Sequence, residues 1–246
     1  MPAWLVAVFL FFSGTVTASG LMCYVWRTRH CQSLGGRSKC DWCQVKLPLK
    51  ALIPVIGFFI TRGKCGDCGR EVPYYSLLSE ILIGSLWAGL WLNNPELSWG
   101  TWLAFFLASA ALVTIIISDF FWQEIPVRVL FPILVIVLAL TYFQTPVLPV
   151  WWSALGGSLA AAGFFLWQYV LSRGKWVSGG DIWIGALSGA LIGWNQVVLV
   201  TAVGYGGAAA YSLLCAMVKH DKRFNRVPLG SFLAWSTLIF LLAKLV

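Results

Sequence analysis

The stretch "TWLAFFLASAALVTIIISDFFWQEIPVRVL", residues 101–130, decides the class of fold. From Thr101 to Ser118 it carries no charge, then it meets Asp119. A bilayer span needs about 20 apolar residues, fewer where the ends are shielded. A carboxylate placed at the end of such a run costs free energy, so it is a functional candidate before anything else is known.

Outward from this stretch the same pattern recurs. Candidate spans lie at roughly 4–26, 75–93, 101–118, 126–143, 149–171, 181–194, 196–217 and 229–246. The apolar stretch 52–60 is too short to cross and reads as a packed or surface-dipping segment. Hydrophobic residues make up 59% of the chain and charged ones only 11%, which excludes an ordinary soluble domain. The first run has no Lys or Arg before Arg27, so it reads as a retained span rather than a secretory signal. The expected fold is an all-α integral membrane protein of about eight transmembrane helices. Its expected parts are a first helix (1–26), a cysteine domain (27–73) and a helical core (74–246).

The net charge of +8 does not require nucleic acid, because the bases cluster in alternate loops. Nine Lys and Arg fall in residues 27–72; Arg173 and Lys175 follow the fifth span; Lys219, Lys222, Arg223 and Arg226 follow the seventh. The loops 93–100, 144–150 and 193–196 have none. The positive-inside rule then puts the cysteine domain in the cytoplasm, facing anionic lipid headgroups with its basic loops. Trp91, Trp99, Trp151, Trp152 and Trp194 fall at the outer interface.

Within 27–73, Cys40, Cys43, Cys65 and Cys68 form C-x2-C-x21-C-x2-C. In a reducing compartment these stay thiols, and the spacing suits a four-coordinate structural zinc site. A domain of that size builds little core, so metal binding supplies folding energy. The competing readings are a redox dithiol pair and plain free thiols. Cys23, Cys31 and Cys215 have no partner at ligand spacing.

Of nine acidic residues, Glu80, Asp119, Glu124 and Asp181 lie within or at the ends of apolar spans. Asp119 and Asp181 fall on the same predicted face. Two neighbouring carboxylates share a proton and can act on water as base and acid. The plainer alternative is that each caps its helix or pairs with Arg128 or Arg173. Gly179 and Gly180 before Asp181 permit close backbone approach to an extended substrate. Gly185, Gly189 and Gly193 form a small-residue face for tight helix packing.

Taken in order, these motifs resemble the type IV prepilin peptidases, membrane aspartic proteases with a G-x-G-D signature. "KCDWC…LPLKALIPVIGFFITRGKCGDCGREVPYYSLLSEIL" resembles their cysteine domain and second span. "DFFWQEIP", "SGGD" and "RVPLGSFLAW" resemble the first aspartate motif, the second, and the closing helix. The resemblance implies Asp119 and Asp181 as catalytic pair, zinc on the four cysteines, and prepilin or pseudopilin substrates. It also implies a bacterial inner-membrane location and methylation of the new N-terminus with S-adenosylmethionine. Ser178, Val127 and Trp183 depart from the usual pattern, and the N-terminal Gly-Ser-Phe-Leu-Asn motif is degraded to "ASGLMCYVWR" (18–27). Two rival classes are a membrane thiol oxidoreductase using the Cys-x-x-Cys pairs, and a transporter or assembly scaffold.

Overall fold

A computed structural model describes residues 2–143, 148–217 and 227–245. The basic cluster at 219–226 and most of the loop 144–150 lie outside the described residues. The chain divides into two compact units, Met1–Pro95 and Glu96–Val246.

In the first unit, α1 (Ala3–Arg29) pairs with α3 (Tyr74–Asn93). The pairing rests on absent side chains. A Cβ on Gly14 would stand 2.9 Å from Gly84 Cα, and one on Gly84 would stand 2.9 Å from Phe11 O. The two backbones therefore touch, the small-residue device of membrane helix pairs. The other face of α1 is apolar and open, with Trp4, Phe9, Phe12 and Val16 exposed, as lipid contact requires.

Between these helices the chain folds into two similar knuckles. Each holds one Cys-x-x-Cys pair, is closed by one antiparallel bridge, Lys39 with Lys46 or Lys64 with Glu71, and turns through a left-handed residue, Gln44 or Gly69. Cys40 N donates to Val45 O and Cys65 N to Arg70 O, both at 2.9 Å. The apolar stretch between the knuckles makes a 3-10 turn at Leu49–Leu52 and one short helix, α2 (Ile56–Ile60), packed on that turn.

The second unit is a helical bundle: α4 (Trp99–Trp122), α5 (Val127–Tyr142), α6 (Trp151–Ser172), α7 (Gly179–Ile192), α8 (Trp194–Met217) and α9 (Leu229–Ala243). Successive helices run antiparallel, so the end of α4 and the starts of α7 and α9 share one side of the bundle. At the other side the starts of α4, α6 and α8 expose Trp99, Trp151, Trp152 and Trp194.

Two helices form the centre. Every residue from Ala108 to Asp119 of α4 is buried, as is every residue from Ile184 to Ile192 of α7. The 14 residues of α7 reach only about 21 Å, less than a bilayer core. That shortness is tolerable because α5, α6, α8 and α9 all pack on it. Its glycine face meets α6: a Cβ on Gly157 would stand 2.8 Å from Gly189 O, and Gly185 lies against Phe165.

Among the described residues five helices are long and apolar enough to cross a membrane, and α5, α7 and α9 are shorter apolar helices. Among the described residues the structure is helical with no strand beyond the two bridges. The protein is a multi-pass membrane protein.

Candidate functional site

Asp119 sits in the last turn of α4, and local chemistry ends the helix there. Gln123 takes a left-handed conformation (φ 54°) and donates its N–H to Asp119 O. Ile125 precedes Pro126, and a residue before proline is held out of the helical region. The carboxylate leans on the start of α9. Its Oδ2 accepts the Ser231 N–H at 2.7 Å and the Ser231 hydroxyl at 3.2 Å. The same hydroxyl reaches Ile116 O at 2.9 Å, tying α9 to α4. An acid at a helix N-terminus also meets the positive end of the helix dipole.

Asp181 sits at the third position of α7. Its Oδ2 accepts the Ser178 N–H at 2.6 Å, while the Ser178 side chain accepts from the Asp181 amide, a reciprocal capping box. Ser178 has φ −86° and ψ 160°, extended backbone that any residue adopts. Serine in the place of a glycine therefore adds no strain here and supplies a cap.

The two carboxylates come from positions 62 residues apart, one in the last turn of α4 and one in the first turn of α7. Gly230 stands between their helices: a Cβ there would be 3.0 Å from Asp119 Oδ2 and 2.9 Å from Ile184 of α7. The hydrogen bonds of both acids go to serines, not to Arg128 or Arg173. Gly180 lies against Ile125, where a Cβ would come within 2.6 Å, so it locks the start of α7 to the α4–α5 link. Gly179 borders open space. The glycine face of α7 packs on α6 rather than on α4, and the α7–α9 seam carries the alignment of Asp181. Ser188 and Thr237 exchange a buried hydroxyl bond of 2.7 Å across that seam.

Sequence reasoning passed over Gly230 and Ser231. The one signal was a small pair just beyond Pro228 and Leu229, in the first turn of an apolar helix that starts at Leu229.

In the first unit the four cysteines converge. Cys40 and Cys68 sulfurs are 3.7 Å apart, Cys43 and Cys65 sulfurs 3.9 Å, and all four lie within 4.8 Å of one another. Backbone N–H groups of Cys68 and Asp67 favour the Cys65 thiolate and hold that thiol down to about 7. The set can hold a metal ion. Arg70 lies over the Trp42 ring at 4.1 Å, joining one knuckle to the other.

Residues 12–94 match the bacterial peptidase A24 N-terminal domain, and residues 105–244 match the type IV leader peptidase family. A protein of Bacillus subtilis (strain 168), named prepilin leader peptidase/N-methyltransferase, is 29% identical over 218 residues, which cover 84% of this chain and 84% of the relative. A protein of the same name from Burkholderia pseudomallei (strain 1026b) is 32% identical over 207 residues, 80% of this chain and 64% of that longer relative. One from Stutzerimonas stutzeri is 26% identical over 209 residues, 82% of this chain and 71% of the relative. No solved structure gives a significant match. The chain belongs to the type IV leader peptidase family.

Proposed function

We propose that this member of the type IV leader peptidase family cleaves the leader from prepilin or pseudopilin precursors, with Asp119 and Asp181 as its catalytic pair. One observation carries the assignment of the pair: two acids from distant segments are buried at one end of the same bundle, each steadied by a serine amide. Family membership and the names of the relatives support the reaction. We read the site as facing the cytoplasm, in the bacterial inner membrane, from the distribution of Lys and Arg.

In this mechanism the pair shares one proton, since two adjacent carboxylates do not both ionise easily. The ionised member takes a proton from water, which attacks the scissile carbonyl. The protonated member donates to the carbonyl oxygen; the member that took the proton from water then gives it to the leaving amine as the C–N bond breaks, and the collapsing diol returns a proton to the other acid. Ser231 and Ser178 hold one oxygen of each acid, which fixes the direction of the other. Gly179 offers an open backbone edge to an extended substrate, and Gly180 positions the turn that presents it.

The four cysteines bind zinc in this reading. A zinc ion with four sulfurs at about 2.3 Å sets those sulfurs about 3.8 Å apart. The observed 3.7 and 3.9 Å match two edges of that tetrahedron, and the other sulfur pairs, all within 4.8 Å, need only a small contraction to complete it. Zinc here folds the knuckles and takes no part in hydrolysis. The names of the relatives also support N-methylation of the trimmed product, with S-adenosylmethionine as methyl donor.

The test is cleavage of a prepilin by purified Asp119→Asn and Asp181→Asn variants. Each is expected to lose at least about 100-fold in rate, the lower bound for removing a general acid or base. A wild-type rate in either variant removes that residue from the pair.

A further inference from the structure

The first unit contains a cavity of about 1130 Å³ whose lining includes neither Asp119 nor Asp181. It is amphipathic along its length. One wall follows a single face of α1 through Val16, Gly20, Cys23 and Arg27, roughly 16 Å of helix that begins inside the apolar span. The other end opens on the knuckles, where six basic side chains and two carboxylates line it.

The basic residues are not equivalent. The Arg27 guanidinium is committed to the carbonyls of Ser33, Leu34, Gly35 and Gly36, and Arg37 donates to Leu47 O. Among the described residues the side chains of Lys39, Lys46, Lys50 and Lys64 make no hydrogen bond or ion pair. Lys39 and Lys46 are opposed across the bridge of the first knuckle. Like charges directly opposite each other destabilise an antiparallel pair. The second knuckle, with the same backbone, sets Lys64 against Glu71. The first knuckle has a second lysine at the position where the second knuckle has an acid.

We propose that this cavity binds an anionic phospholipid, its phosphate between Lys39 and Lys46 and an acyl chain along the Val16–Gly20–Cys23 face. The lipid supplies negative charge between the two lysines and covers an apolar wall that continues into the bilayer. Its lining includes neither acid of the proposed catalytic pair, and its occupancy is read without cleavage.

The test uses the delipidated full chain in neutral detergent, with binding followed by native mass spectrometry and by thermal shift. Phosphatidylglycerol is expected to bind and raise Tm; phosphatidylcholine and inorganic phosphate are not. Lys39→Gln with Lys46→Gln is expected to weaken phosphatidylglycerol binding by about fivefold per lysine, and the Lys→Arg pair to retain it. Gly20→Leu, at a position where a Cβ meets nothing within 4 Å, is expected to fold normally and to weaken lipid binding while leaving Tm without lipid unchanged. Equal stabilisation by inorganic phosphate reassigns the cavity to a soluble anion. No preference for phosphatidylglycerol over phosphatidylcholine, unchanged binding in the Lys→Gln pair, or displacement of the lipid by S-adenosylmethionine overturns the proposal.

Discussion

The two units bury polar chemistry in opposite ways. In the second, the acids Asp119 and Asp181 sit where a carboxylate is costly, and the cost is offset by helix starts that aim amides at them. Those starts stay in place because α7 is packed by α5, α6, α8 and α9, and α4 by α5 and α9. In the first unit the polar part has almost no apolar core. Its knuckles are closed by two bridges, a few turn hydrogen bonds and four converging sulfurs. One site is thus held by packing around it, the other by the convergence of its own side chains. Removing a group should therefore damage function in one unit and folding in the other.

The largest contrast comes from the acids and the cysteines. Asp119→Asn is expected to abolish cleavage at near-normal Tm, since asparagine keeps the shape and one accepting oxygen for Ser231. Cys40→Ser or Cys65→Ser is expected to do the reverse in kind: loss of about one zinc per chain by metal analysis, and rapid proteolysis within residues 31–73 while the helices of 96–246 stay resistant. A Cys65→Ser protein that keeps its metal and its protease resistance would erase the contrast.

A smaller effect is expected at Gly230. Alanine there puts a methyl 3.0 Å from Asp119 Oδ2 and 2.9 Å from Ile184, so the carboxylate or α9 must shift by tenths of an ångström. Cleavage is expected to fall about 10- to 100-fold, since small misplacement near a reacting group is expensive in rate. Ser231→Ala is milder: the hydroxyl bond at 3.2 Å is lost and the amide bond at 2.7 Å remains. A few-fold drop in kcat with little change in KM is expected, and Ser231→Thr should restore most of it. Loss as large as for Asp119→Asn would show that the hydroxyl, not the amide, sets the acid.

Much of this was legible in the sequence because it depends on local rules. Runs of apolar residues announced the helices, and C-x2-C-x21-C-x2-C announced the converging thiols, since turn geometry puts each pair within reach of one ion. The short sixth run was legible as a helix, though only packing explains why 14 residues suffice. Ser178 could be recognised as a departure, but its φ of −86° and its capping role belong to the folded chain. The contact between Ser231 and Asp119 spans 112 residues and has no local trace. The same holds for Val55, whose amide reaches Glu80 Oε2 at 2.7 Å while its own φ is 61°. Nothing about a valine after a proline foretells that strained turn.

The most direct test of the central claim is a double-mutant cycle on cleavage by the Asp119→Asn, Asp181→Asn and doubly substituted proteins. Two acids working on one proton act as a unit, so the double variant should cleave no more slowly than the slower single one. Losses that multiply, each acid contributing independently of the other, would contradict the shared pair.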